Sequence, residues 1–165
     1  IESKPDVVIE ANFSCTSYTP KAVVLYHIYR KRWMARYWQR LGIPVVVDLY
    51  VDFPHTQENL LGVPDRWSAF ATRAYSDGAE DTILRAYEVA CAKRGGSDVL
   101  FIVYGGGAKA EKLCTRNNWH YIPEAVRVIR GEDPAYGGNY DWLRENQDLS
   151  DKKYGPHNPH KTPQP

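Results

Sequence analysis

The chain has too little cysteine for a disulfide framework. Its three cysteines, Cys15, Cys91 and Cys114, are odd in number and widely spaced, which points to reduced thiols and a cytoplasmic setting. It also lacks an excess of one charge. Lys and Arg number 21 against 20 Asp and Glu, and a net charge of +1 excludes a globally basic nucleic-acid binder, so any basic surface is local. No apolar run approaches the roughly 20 residues that cross a bilayer, and no signal peptide is visible, so no membrane contact is expected. The chain opens on Ile1 rather than Met, so an upstream segment is expected. His27, His55, His120, His157 and His160 show neither zinc spacing nor a His-x-His pair, and no Ser/Cys–His arrangement or internal repeat is recognisable.

What is present is an alternation of apolar runs and capped helical segments. At 165 residues and 43% hydrophobic content, one domain with a real core is the default. Residues 7–12 read as a first strand and residues 20–41 as a first helix, with Thr19 as N-cap and Pro20 in the first turn. Gly42 takes the left-handed cap, Pro44 blocks continuation, and Val45, Val46 and Val47 open a buried strand. A helical turn over 56–61 and a strand over 67–73 follow. Asp77 and Glu80 read as a capping box for a helix that Gly95 and Gly96 stop. Residues 99–104 have no polar alternation, as in a strand covered on both faces of a parallel sheet. A short helix over 108–116 and a fifth strand over 119–122 complete the pattern. The expected fold is α/β, a mainly parallel sheet with helices packed on it. It spans residues 1–130. Residues 131–165 read as an extended polar tail, and residues 148–165 are expected to lie against a partner or a second copy.

The first helix poses the functional question. Arg32, Arg36 and Arg40 recur at i, i+4 and i+8, flanked by Tyr29, Trp33 and Tyr37, with Arg30 alongside. Val24, Ile28, Met34, Ala35 and Trp38 gather on the other side; Lys31 falls among them without a reason visible in the sequence. Guanidinium groups grip phosphates and aromatic rings stack on bases, so Arg30, Arg32, Trp33, Arg36, Tyr37 and Arg40 form a candidate nucleic-acid surface. The alternative is a solvated helix face. Burial of Arg30 or Arg32 against Glu10 or Asp48 would make the helix structural and favour a second reading: a small enzyme holding a phosphorylated ligand.

That second site is Tyr104, Gly105, Gly106 and Gly107, a strand end opening a helix. The stretch lacks both the Walker and the GxGxxG spacing, and a tight turn explains it equally well. Glu10, Asp48 and Asp52 lie near strand ends, where carboxylates can hold a divalent ion, but no metal is expected. Tyr18, Tyr50 and Tyr75 are expected near one sheet edge as conceivable nucleophiles. No motif names a cofactor.

The order ANFS, HIYRKRWMARYW, LGIPVVVDL, LGVP, SAFATRAY and FIVYGGG resembles the family called domain of unknown function 4417. The matching positions are Phe13, Ser14, Tyr29, Arg30, Arg32, Tyr37, Trp38, Gly42, Ile43, Gly62, Pro64, Tyr104 and Gly105, across residues 7–107. The resemblance implies a phage or mobile-element setting and no reaction; the expected function is to bind or process nucleic acid through α-helical residues 20–41, with replication as the expected process. Two positions depart from the family pattern. Asn12 stands where Asp is usual, and Asp48 falls where members usually have no acid, which weakens the carboxylate-metal idea. A virion or assembly component whose tail wraps a neighbour is a third reading.

Overall fold

The computed structural model describes residues 5–75 and 80–124. The expected tail contacts of residues 148–165 and the Asp77 cap lie outside the described residues. Residues 1–122 form one compact unit.

Five strands form a single parallel sheet in sequence order: β1 (Val8–Ile9), β2 (Val45–Asp48), β3 (Ala69–Ala74), β4 (Leu100–Gly105) and β5 (His120–Ile122). Between them run α1 (Lys21–Arg40), a 3-10 turn (Phe53–His55) leading into the single-turn α2 (Thr56–Asn59), α3 (Glu80–Arg94) and α4 (Gly107–Asn117). The alternation read from the sequence is therefore the fold. Sequential order has a consequence that the alternation alone does not specify. Successive right-handed crossovers in one direction send every helix to the same face. The core shows it: Val47, Phe70, Ala74, Phe101 and Val103 pack with Ile83 and Ala90 of α3 and with Ala110 and Leu113 of α4. Tyr87, Phe101 and Trp119 lock this layer through ring centroids 4.7–5.3 Å apart. Burying a side chain such as Phe101 contributes about 1.5–3 kcal/mol. The alternate residues Val46, Ala71 and Ile102 form a second cluster on the other face with Ile9, Ala69, Tyr104 and Ile122. Residues on both faces are buried, which fits the unbroken apolar runs Val45–Val47 and Phe101–Val103.

The helix ends follow their capping residues. At the end of α1, Gly42 sits at φ +74, its N–H reaches Gln39 O at 3.0 Å, and Ile43 N–H reaches Trp38 O at 3.1 Å. These are the paired bonds of a Schellman motif. The start of α1 differs from expectation. Pro20 is the cap residue, and no side chain caps the helix; Thr19 Oγ1 instead accepts Thr16 N–H at 2.9 Å and closes the preceding turn. The strand-to-helix turn at Gly106 is set by packing. Its φ is +80, and a Cβ there would lie 2.5 Å from Ala74 Cβ and 2.8 Å from Ala110 Cβ. Only glycine lets α4 start this close to β3.

Candidate functional site

α1 has two cationic sides with different fates. Its buried side carries Val24, Ile28, Lys31 and Ala35, spaced i, i+4, i+7 and i+11. Lys31 is 4% exposed, and its Nζ donates to Asp48 O at 2.7 Å and to Asn59 Oδ1 at 2.8 Å, with Glu10 Oε2 at 3.9 Å. Asn59 Nδ2 donates to the same Asp48 carbonyl at 3.1 Å. This accounts for a lysine on the apolar side of the wheel. The crossover between β2 and β3 carries only single-turn helices, so its carbonyls need donors from outside. Lys31 and Asn59 supply two of them.

Arg32 belongs to the same network, which corrects the expectation that it faces solvent or a ligand. Its Nη1 pairs with Glu10, its Nη2 donates to Asn59 O, and its Nε donates to Leu61 O at 2.9 Å. Glu10 Oε2 also accepts the Asp48 N–H at 3.2 Å. Asn59 O and Leu61 O lie at the C-terminal end of α2, where carbonyls are orphaned and a cation is favoured. Arg32 is thus a clamp on residues 59–62.

The outer half of α1 remains. Tyr26, Tyr29, Trp33 and Tyr37 are 59%, 65%, 60% and 52% exposed. Trp33 and Tyr37 stack with planes 5° apart and centroids 6.0 Å apart. Arg30, Arg36 and Arg40 are exposed around them. Arg30 lies over the rings of Phe13 at 4.3 Å and Tyr26 at 5.6 Å, and Arg36 bonds Gln39 at 3.1 Å. Tyr26 extends the aromatic row beyond the residues expected from sequence; its i, i+3, i+7 and i+11 relation to Tyr29, Trp33 and Tyr37 was the available signal. The helix contains no Asp or Glu at any position, while Lys21, Arg30, Lys31, Arg32, Arg36 and Arg40 are all basic. Met34 and Trp38 are half-buried between the two sides.

The strand-end carboxylates each have protein partners. Among the described residues no group of His, Cys, Asp and Glu is arranged to hold a metal ion. Glu10 serves Arg32. Asp48 accepts Tyr50 N–H at 2.7 Å, Asn12 Nδ2 at 3.0 Å and Tyr104 O–H at 3.0 Å. Asp52 accepts Ser17 N–H at 2.6 Å. Burial pushes the Asp48 carboxyl up and the Lys31 ammonium down, each opposed by the other's charge. Asn12 and Asp48, the two departures from the family pattern, therefore touch.

Tyr50 and Tyr75 do share a sheet edge, with hydroxyls 2.7 Å apart, whereas Tyr18 is 94% exposed. Burial and the neighbouring Tyr75 push the Tyr50 phenol up, away from the phenolate a nucleophile needs. One contact escaped the sequence reading: Cys15 Sγ lies 3.7 Å from His27 Nδ1. Burial raises this thiol, the reverse of thiolate activation. At the second candidate site, Tyr104 O–H donates to Asp48 and Gly106 is fixed by its packing, while Gly105, Gly106 and Gly107 all take positive φ.

Residues 3–73 match the family model described as Domain of unknown function (DUF4417). The chain is similar to that family over this stretch. The match holds α1, the Arg32 clamp and most of β3, and the later FIVYGGG segment lies outside it. No curated protein and no solved structure matches the chain. Among the described residues no helix is long and apolar enough to cross a membrane.

Proposed function

We propose that the outer half of α1 binds single-stranded nucleic acid. The observation that carries this reading is a helix with no carboxylate, on which four exposed aromatic rings alternate with Arg30, Arg36 and Arg40. A solvated helix face normally mixes both charge signs and carries few large exposed rings. An all-cationic face with rings in a row suits a polyanion whose bases stack. The burial of Arg32 removes one guanidinium from the expected surface, but it leaves Arg30, Arg36, Arg40 and every ring outside. Burial of Arg32 against Glu10 is the arrangement expected to favour the ligand-loop reading, but at that loop Gly106 already has a packing duty against Ala74 and Ala110 and Tyr104 a hydrogen bond to Asp48.

The three cysteines are free, which suits a reducing, cytoplasmic setting. The mobile-element context implied by the family resemblance makes replication a natural place for such a surface. A fluorescence-anisotropy titration of a labelled oligo-dT and a duplex of equal length, each at two salt concentrations, tests the reading. The single strand is expected to bind more tightly, and affinity is expected to fall with salt. Absence of binding to either at low salt would end it.

A further inference from the structure

The rings at the start of α1 form a connected set rooted in the core. Cys15 is buried with Val24 and Ile28, and its Sγ lies 3.7 Å from His27 Nδ1. The His27 ring lies 5.5 Å from Phe13 and 6.2 Å from Tyr26 between centroids. Phe13, in the loop between β1 and α1, and Tyr26 in turn lie against Arg30, whose Cζ is 4.3 Å from the first centroid and 5.6 Å from the second. A buried thiol thus anchors an imidazole, the imidazole a phenyl ring, and the rings a guanidinium.

A ring face attracts a guanidinium without neutralising its charge. The N–H groups of arginine lie in the plane of the fork, so a ring against its flat side leaves them open to a partner. Among the described residues the ion pairs of α1 belong to Lys21, Lys31 and Arg32, not to Arg30. Arg30 is therefore a preset fork with its charge uncompensated, whereas Arg36 is turned toward Gln39 at 3.1 Å.

The same arrangement sets a path. Each residue turns the helix by about 100° and advances it by about 1.5 Å. On that geometry Arg30 flanks the ring row on one side, and Arg36 and Arg40 flank it on the other. The contacts agree: Arg30 meets Phe13, while Arg36 lines a cleft with Arg32, Gly62 and Trp67. A polyanion that touches all three arginines crosses the rings obliquely and covers about 15 Å of helix between Arg30 and Arg40.

We infer that the outer side of α1 takes a single strand of about four nucleotides, laid obliquely across the rings, and that Phe13 positions Arg30 for one of its phosphates. This rests on the reading of that face as a single-strand surface, and gives it a length, a path and a positioning residue outside the helix. The exposed Arg30, Arg36 and Arg40 match three phosphates, and three phosphates link four nucleosides. That is the low end of the range for small single-strand binding folds, about 4–16 nucleotides.

Anisotropy titrations of the full chain with oligo-dT of two, four, eight and twelve nucleotides test this. Affinity is expected to rise steeply from two to four nucleotides and then, corrected for the number of registers, to level off. The slope of log affinity against log salt is expected near −2, about 0.7 for each of three phosphates. Phe13→Leu is expected to weaken binding about 3- to 10-fold, the worth of one cation–π contact, and Phe13→Tyr, which keeps a ring, to bind like the unmodified protein. With Arg30→Ala already in place, Phe13→Leu is expected to cost nothing further, because a positioning residue acts only through the group it positions. Thermal midpoints check that the variants are folded, and the length series and salt slope need no variant. The inference is overturned, with the single-strand reading intact, if affinity climbs undiminished from four to twelve nucleotides, if Phe13→Leu binds like the unmodified protein, or if it costs as much without Arg30 as with it. If no oligo-dT binds at low salt, both readings fall together.

Discussion

The two sides of α1 are built from the same residue types and do opposite things. Lys31 and Arg32 turn inward and are consumed by Glu10, Asp48 and Asn59 and by the carbonyls of the β2–β3 crossover. Arg30 and Trp33, their immediate neighbours in sequence, stay outside. One step along a helix turns a side chain by about 100°, so adjacent cations serve different masters. The inner pair shows what arginine and lysine do when a long connection lacks regular structure: they supply its missing donors. The outer arginines have no such duty within the described residues, and their company of exposed rings is what singles them out. The comparison teaches that an arginine stripe at i, i+4 and i+8 is not one object, because its first member can be structural while the rest are free to bind.

The largest test breaks the inner side. Arg32→Ala leaves Glu10 buried with a lost charge partner and two α2 carbonyls without donors, and Lys31→Met leaves Asn59 and the Asp48 carbonyl short of a donor. Each is expected to destabilise the fold by about 3–5 kcal/mol in urea denaturation, the usual cost of breaking a buried pair. A loss of less than about 1 kcal/mol for both would mean that the network is ornamental.

The next test breaks the outer side. Trp33→Ala with Arg36→Ala is expected to weaken oligo-dT binding by about 2–3 kcal/mol and to flatten its salt dependence. Stability should change by no more than about 0.5 kcal/mol per substitution. If Arg32→Ala lowers affinity under conditions where the fold persists, and the outer pair does not, the two sides have been assigned the wrong way round.

A smaller effect sharpens the border between them. Asp48→Asn sets an amide against Asn12 and Tyr104 and is expected to cost about 0.5–1.5 kcal/mol, the worth of one or two weakened hydrogen bonds. Adding Asn12→Asp restores one donor and one acceptor across the same gap and should recover more than half of the loss. Additive costs in that double variant, measured by thermal unfolding, would show that the two positions are not coupled.

The smallest effect calibrates what an ion pair is worth outside. Lys93 Nζ lies 2.7 Å from Asp65, whose side chain is 95% exposed, and this hydrogen bond holds the Asp65 carboxyl below the usual range. A carboxyl lowered in the folded state lends its stability above its unfolded value, about 3.9, and loses it as pH falls through the folded value. Lys93→Ala is expected to move the Asp65 titration, followed by NMR, back toward 3.9 without a resolvable shift of the urea midpoint at neutral pH. A clear midpoint shift would show that even exposed pairs carry weight here, and would narrow the contrast with Arg32.

Much of the fold was legible in local pattern. Apolar runs at 45–47 and 100–104, the Gly42 and Gly95–Gly96 stops, and the glycine turn into α4 are each decided by residues within a few positions of one another. The same is true of the outer face of α1, because helical phase is a local property and Trp33 must point away from Val24, Ile28 and Ala35 once those are buried. Partners were not legible. Glu10 lies 22 residues from Arg32, and Asn59 lies 28 from Lys31. Nothing in the spacing of Glu10, Asp48 and Asp52 says that one pairs with arginine while another accepts three neutral donors. The chain by itself therefore determined which elements form and which way each side chain turns about its own helix or strand. Only the tertiary structure decided which cations are spent and which remain, because that depends on which distant carbonyls and carboxylates the sequential parallel sheet brings within 3 Å.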